Sequence, residues 1–160
     1  MNIPSTRRRG VLFALGALPL LSFAQPGPRV LVEVWKEPEC GCCKDWVKHL
    51  EDNGFAVKVT HGGNGAMRNR LGIPGKLGSC HTALVGGYAV EGHVPAKDIR
   101  RLLKDRPQAI GLAVPGMPVG SPGMDGEVYG GRRDPYDVFL LARGGGARVY
   151  QRYEGNRKSA

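Results

Sequence analysis

Three cysteines crowd four positions, Cys40-Gly41-Cys42-Cys43, and one more, Cys80, completes the set of four in the 160-residue chain. A framework of loop-stapling disulfides spreads its cysteines out, so this clustering argues against two bridges as the scaffold. Arg29 to Trp35, before the cluster, is a β-branched apolar run suited to a buried strand, and it stops at Lys36-Glu37-Pro38. After the cluster, Trp46, Val47 and Leu50 fall at helical spacing, with Asn53-Gly54 as the stop. The thiols thus sit at a strand-to-helix junction, where free backbone amides and the helix dipole favour thiolate over thiol.

A thiolate is both nucleophile and metal ligand. A thiol–disulfide catalyst needs two, Cys40 as nucleophile and Cys43 as resolving thiol. Cys42 is surplus to that chemistry but useful to a metal cluster, in which sulfurs bridge neighbouring ions. Metal capture is the first reading, disulfide exchange the second and structural bridging the third.

The remaining segments place a second strand at Phe55 to Thr60, a short helix at Ala66 to Leu71, and a hairpin of Thr82–Val85 and Tyr88–Glu91 turning at Gly86-Gly87. A helix opened by Pro95 runs from Ala96 to Leu103. This order predicts a thioredoxin-like α/β domain. In that fold Cys80 and His81 occupy the slot facing the C-x-x-C pair, so sulfur and imidazole converge on the cluster. Gly111 to Gly131 is too rich in Gly and Pro for regular structure and reads as a functional loop. Tyr136–Ala142 and Arg148–Tyr153, joined by Gly144-Gly145-Gly146, form a final β-hairpin.

Within the Gly/Pro-rich loop, Met117 and Met124 have Pro and Gly neighbours and are poorly placed as core filler. Their thioethers are candidate soft ligands, with packing of the loop as the equal alternative. His93 reads as a ligand or as a cap on the helix that follows. His49 reads as solvated and His61 as uninformative. Thiolates with thioethers select copper(I), whereas zinc is content with Cys and His. The candidate ligands are Cys40, Cys42, Cys43, Cys80, His81, His93, Met117 and Met124.

Residues 1–24 read as a signal peptide: Arg7-Arg8-Arg9, an apolar run from Val11 to Leu21, and Ser22-Phe23-Ala24 as the cleavage site. Thr6 to Val11 also fits a loose twin-arginine signal, though three clustered arginines are also an ordinary n-region. Export to the periplasm leaves a single domain, 25–160, with no membrane span. The chain has 23 basic and 14 acidic residues. Its charges are scattered without interleaved aromatics, which argues against nucleic acid as a partner. No glycine-rich phosphate motif follows a strand.

Four stretches carry a family resemblance: Cys40-Gly41-Cys42-Cys43; Ser79-Cys80-His81-Thr82-Ala83; Gly87-Tyr88 with Glu91-Gly92-His93-Val94-Pro95; and Gly111 to Pro118 through Gly120 to Met124. In these the chain resembles the CopG-type periplasmic copper-resistance proteins, a thioredoxin-like family. The resemblance implies copper binding in the periplasm in copper resistance, with copper redox activity as an accompaniment; copper held in this way would be buffered or passed to copper-efflux proteins as partners. It implies the four cysteines as the metal-binding set, with His81, His93, Met117 and Met124 as neighbours. The final hairpin lies outside the motifs and inherits nothing.

Overall fold

The computed structural model describes residues 27–156, so the signal peptide expected at 1–24 lies outside the described residues. The chain runs β1 (Leu31–Lys36), α1 (Gly41–Asp52), β2 (Ala56–His61), α2 (Gly65–Arg70), β3 (His81–Val85), β4 (Tyr88–Glu91), α3 (Ala96–Asp105), β5 (Gly111–Ala113), β6 (Tyr136–Leu141) and β7 (Ala147–Tyr153). All seven strands form one sheet in the order β2-β1-β3-β4-β5-β6-β7. β1 and β2 are parallel, which requires a crossover, and α1 supplies it.

The core forms where apolar positions of the sheet and two helices meet. Val32 and Val34 of β1, Trp46 and Leu50 of α1, and Ile99 and Leu102 of α3 are fully buried in one cluster. Burial of each such aliphatic side chain stabilises the fold by about 2 kcal/mol. The Trp46 indole N–H, which burial would otherwise orphan, donates to the Val94 carbonyl at 2.9 Å. That bond ties α1 to the segment leaving β4.

The expectation that 111–131 holds no regular structure fails at both ends of the stretch. Gly111–Ala113 is a strand, parallel to β4 and antiparallel to β6, and Glu127–Tyr129 forms a 3-10 turn. At Gly111 a Cβ would stand 1.7 Å from the Ala89 carbonyl oxygen, so only glycine lets the two backbones approach this closely. The residue that reads as a breaker is therefore what admits the strand. Through β5 the final hairpin joins the sheet, and Arg101 of α3 clasps it by donating to the Tyr150 carbonyl at 2.8 Å. No helix among the described residues is long and apolar enough to cross a membrane.

Candidate metal centre

Strand pairing assembles the site. β1 and β3 run antiparallel with Lys36 opposite His81, so the residues after β1 meet the residue before β3. Cys40 is the N-cap of α1, and Cys42 and Cys43 lie in its first turn. Cys80 Sγ stands 3.4 Å from Cys43 Sγ and 3.9 Å from Cys42 Sγ, and Cys42 Sγ is 3.6 Å from Cys40 Sγ. Cys40 and Cys43 are joined as a disulfide, whereas Cys42 and Cys80 are free thiols. All four sulfurs lie within 4.8 Å of one another.

The histidines arrive from the other side of Cys80. Glu91, which ends β4, pairs with Thr82 near the start of β3, and the chain leaving β4 returns His93 to Cys80. His93 Nε2 is 3.2 Å from Cys80 Sγ, and its Nδ1 is 2.8 Å from the Pro122 carbonyl. A carbonyl only accepts, so Nδ1 carries the proton and Nε2 presents its lone pair to the sulfur. His81 Nδ1 is 3.4 Å from the same sulfur, while its ring lies 4.2 Å from that of Trp46 and meets His93 edge-on at 4.9 Å. His81 Nε2 is buried without a hydrogen bond among the described residues, although the Gly92 backbone is close enough to favour a proton on the ring.

Burial dominates the electrostatics. It pushes the Cys80 thiol up to about 12, with Cys42 adding to the effect, so the resting Cys80 holds its proton at neutral pH. It also lowers His81 well below 6.5 and lowers His93 in the same direction, which keeps both imidazoles neutral, the form that binds metal.

The Gly/Pro-rich loop closes the third side. Met117 is half exposed, with its Sδ 4.0 Å from Cys42 Sγ. Gly123 (φ +84°) lies so close to α1 that a Cβ would meet the Cys42 carbonyl oxygen at 2.6 Å and the Trp46 nitrogen at 2.8 Å. Met124, expected to be poor filler, is buried instead, and its sulfur accepts from the Tyr129 hydroxyl at 3.4 Å. Two metal–sulfur bonds of about 2.3 Å meeting near the tetrahedral angle span roughly 3.8 Å between sulfurs. The Cys40–Cys42 and Cys42–Cys80 separations match that span, and the donors are soft.

Comparison with known proteins follows the same residues. A family model described as "Protein of unknown function, DUF411" matches residues 77–124, which hold Cys80, both histidines and the Met117–Met124 loop. No curated protein matches the chain. Two solved structures of a copper resistance protein, CopG, do so at 49% identity: form 1 with a TM-score of 0.74, over 80% of this chain and 100% of its own, and form 2 with 0.72, over 79% and 99%. The chain belongs to the CopG copper-resistance family.

Several residues position this CopG-family site in ways the sequence reading did not assign to them. Glu91 is fully buried and accepts from Arg68 Nε (2.7 Å), the Ser79 backbone N–H (2.7 Å) and the Thr82 hydroxyl (2.5 Å). Arg68 also donates to the Ser79 carbonyl. Together these bonds fix the backbone on either side of Cys80. Lys36 is buried at the end of β1, where its ammonium donates to the Glu37 and Pro38 carbonyls and shapes the turn into the cysteines. His49, expected to be solvated, accepts the Ala96 backbone N–H at 3.1 Å and so caps α3, the role that had been open to His93. A single charge in an apolar strand hints at Glu91, but its partner lies 23 residues away and no local pattern names it. His61 is exposed at the end of β2 and takes no part.

Proposed function

We propose that the chain is a periplasmic copper-binding protein of copper resistance, holding copper(I) among Cys40, Cys42, Cys43 and Cys80, with His93, His81 and Met117 completing the donor set. The observation that carries this reading is the meeting at Cys80 of two helix-borne sulfurs and a neutral imidazole whose lone pair faces it. Family membership and the soft donors favour copper over zinc. Reduction of the Cys40–Cys43 bridge frees all four sulfurs, which is enough for a cluster in which thiolates bridge more than one ion. Met124 serves the same loop from inside, against Tyr129. The βαβ unit followed by α2, the β3–β4 hairpin and α3 supports a thioredoxin-like core extended by β5–β7. Export by the N-terminal signal, passage of copper to efflux proteins and copper redox cycling belong to the same reading.

Elemental analysis of anaerobically purified, reduced protein, with and without copper in the growth medium, tests it. Copper retained by the wild type and lost in Cys80→Ser is the expected result; one equivalent of zinc with no copper uptake refutes it. The Cys40–Cys43 bridge favours a second reading, a thiol–disulfide oxidoreductase. Replacing Cys42 separates the two: copper stoichiometry collapses under the first, and disulfide reductase activity survives under the second.

A further inference from the structure

We propose that the metal-free site carries a movable disulfide, in which the Cys40–Cys43 bridge exchanges onto Cys80 to give Cys43–Cys80 and a pair of free thiols at Cys40 and Cys42. The proposal deepens the reading of the sulfur site as a copper site, since it says which two sulfurs are on offer at a fixed oxidation level. It requires no copper.

Three contacts place the reactants. Cys80 Sγ touches the bridge at Cys43 Sγ, 3.4 Å away, and its nearest proton acceptor, His93 Nε2, is 3.2 Å away. The Pro122 carbonyl fixes the tautomer that leaves this nitrogen open. Cys43 is wholly buried and Cys40 is partly exposed, so attack at Cys43 expels the sulfur that can reach water. That leaving sulfur belongs to the N-cap of α1, where free amides stabilise a thiolate.

The step balances without an external oxidant or reductant. As Cys80 attacks Cys43 its proton passes to His93 in the same step, so no standing thiolate is required; the Cys43–Cys80 bond forms, the Cys40–Cys43 bond breaks, and Cys40 leaves with the electron pair. The proton then returns to Cys40 through water, and one disulfide and two thiols remain. All four sulfurs lie within 4.8 Å, so Cys80 stands beside the bridge and side-chain rotation brings it into line. Before exchange the free thiols are Cys42 and Cys80; afterwards they are Cys40 and Cys42, whose sulfurs already stand 3.6 Å apart while Cys40 is bridged. The exchange thus moves the free pair from Cys42 with Cys80, beside His93, to Cys42 with Cys40 at the start of α1.

The test uses the full chain, stripped of metal by chelation and holding one disulfide. It is pulsed with iodoacetamide, quenched in acid and mapped by mass spectrometry. The expected result is label on Cys40 in the same molecules that carry a Cys43–Cys80 bridge, and labelling of Cys40 slowed roughly tenfold or more in Cys80→Ser. An unchanged circular dichroism spectrum and melting temperature of that variant report that its fold holds. In Cys40→Ser, mild oxidation is expected to form Cys43–Cys80. Equal Cys40 labelling in wild type and Cys80→Ser, or only Cys42-containing bridges in Cys40→Ser, overturns the proposal. With no metal present, that failure leaves the copper stoichiometry of the reduced protein untouched, so the two readings fail separately.

Discussion

Glu91 shows how a buried charge positions a neighbour it never touches. Its carboxylate sits out of water with three donors around it, and burial outweighs them, so its affinity for a proton is raised. Removing one partner of such a buried pair typically costs about 3–5 kcal/mol, because the other is left uncompensated. Glu91→Ala is therefore expected to lower the melting temperature of the metal-free protein by on the order of 10 °C, and Glu91→Gln by less, as followed by circular dichroism. An Ala variant that melts with the wild type would mean that the network holds nothing in place. His93 acts on Cys80 directly. His93→Ala is expected to weaken copper(I) binding on the order of 10- to 100-fold, measured by competition with a chromophoric chelator, and an unchanged affinity would remove His93 from the donor set.

At the scale of elements, periodicity made β1, α1, the β3–β4 hairpin, α3 and the final hairpin legible, because each buries one face against the same core. The convergence of Cys80 on the helix-borne trio followed from its place just before the third strand, in the slot that faces the C-x-x-C pair in the expected fold. What stayed hidden depended on close approach rather than on pattern. Gly111 reads as a breaker, yet it admits β5; Met124 has no apolar neighbours in sequence and finds Tyr129 only when the loop folds back; His49 looks solvated until α3 presents an open N–H. Gly123 is the sharpest case, since its positive φ and its contact with the α1 backbone both exclude a side chain. Gly123→Ala is expected to cost about 1–3 kcal/mol in urea denaturation and to weaken copper binding together with stability, because Pro122, which orients His93, is the adjacent residue. If stability falls while copper affinity holds, the loop does not help to build the site.

For the molecule as a whole, the buried titratable groups set a stability profile whose sign is fixed by their shifts. His49, His81 and His93 are all lowered from 6.5, first by burial, so below pH 6.5 the unfolded chain binds protons that the fold refuses. Their contribution is present above 6.5 and is lost as pH falls, by up to about 1.4 kcal/mol per pH unit for each histidine. Glu91 opposes them: its raised value contributes stability below 4.5 that is lost as pH rises through its folded value. Three histidines against one carboxylate give a net loss on the acid side. The urea midpoint of the metal-free protein is therefore expected to be lower at pH 5.5 than at pH 7.5, and a midpoint that stays level or rises would contradict the neutral state assigned to these imidazoles. Copper(I) sharpens the comparison. A ligand that binds only the fold stabilises it in proportion to the logarithm of its saturation. Protons compete for His93 and Cys80 more strongly at the lower pH, so added copper(I) should raise the midpoint more at pH 7.5 than at pH 5.5. Equal increments at the two values would place the metal on groups other than these.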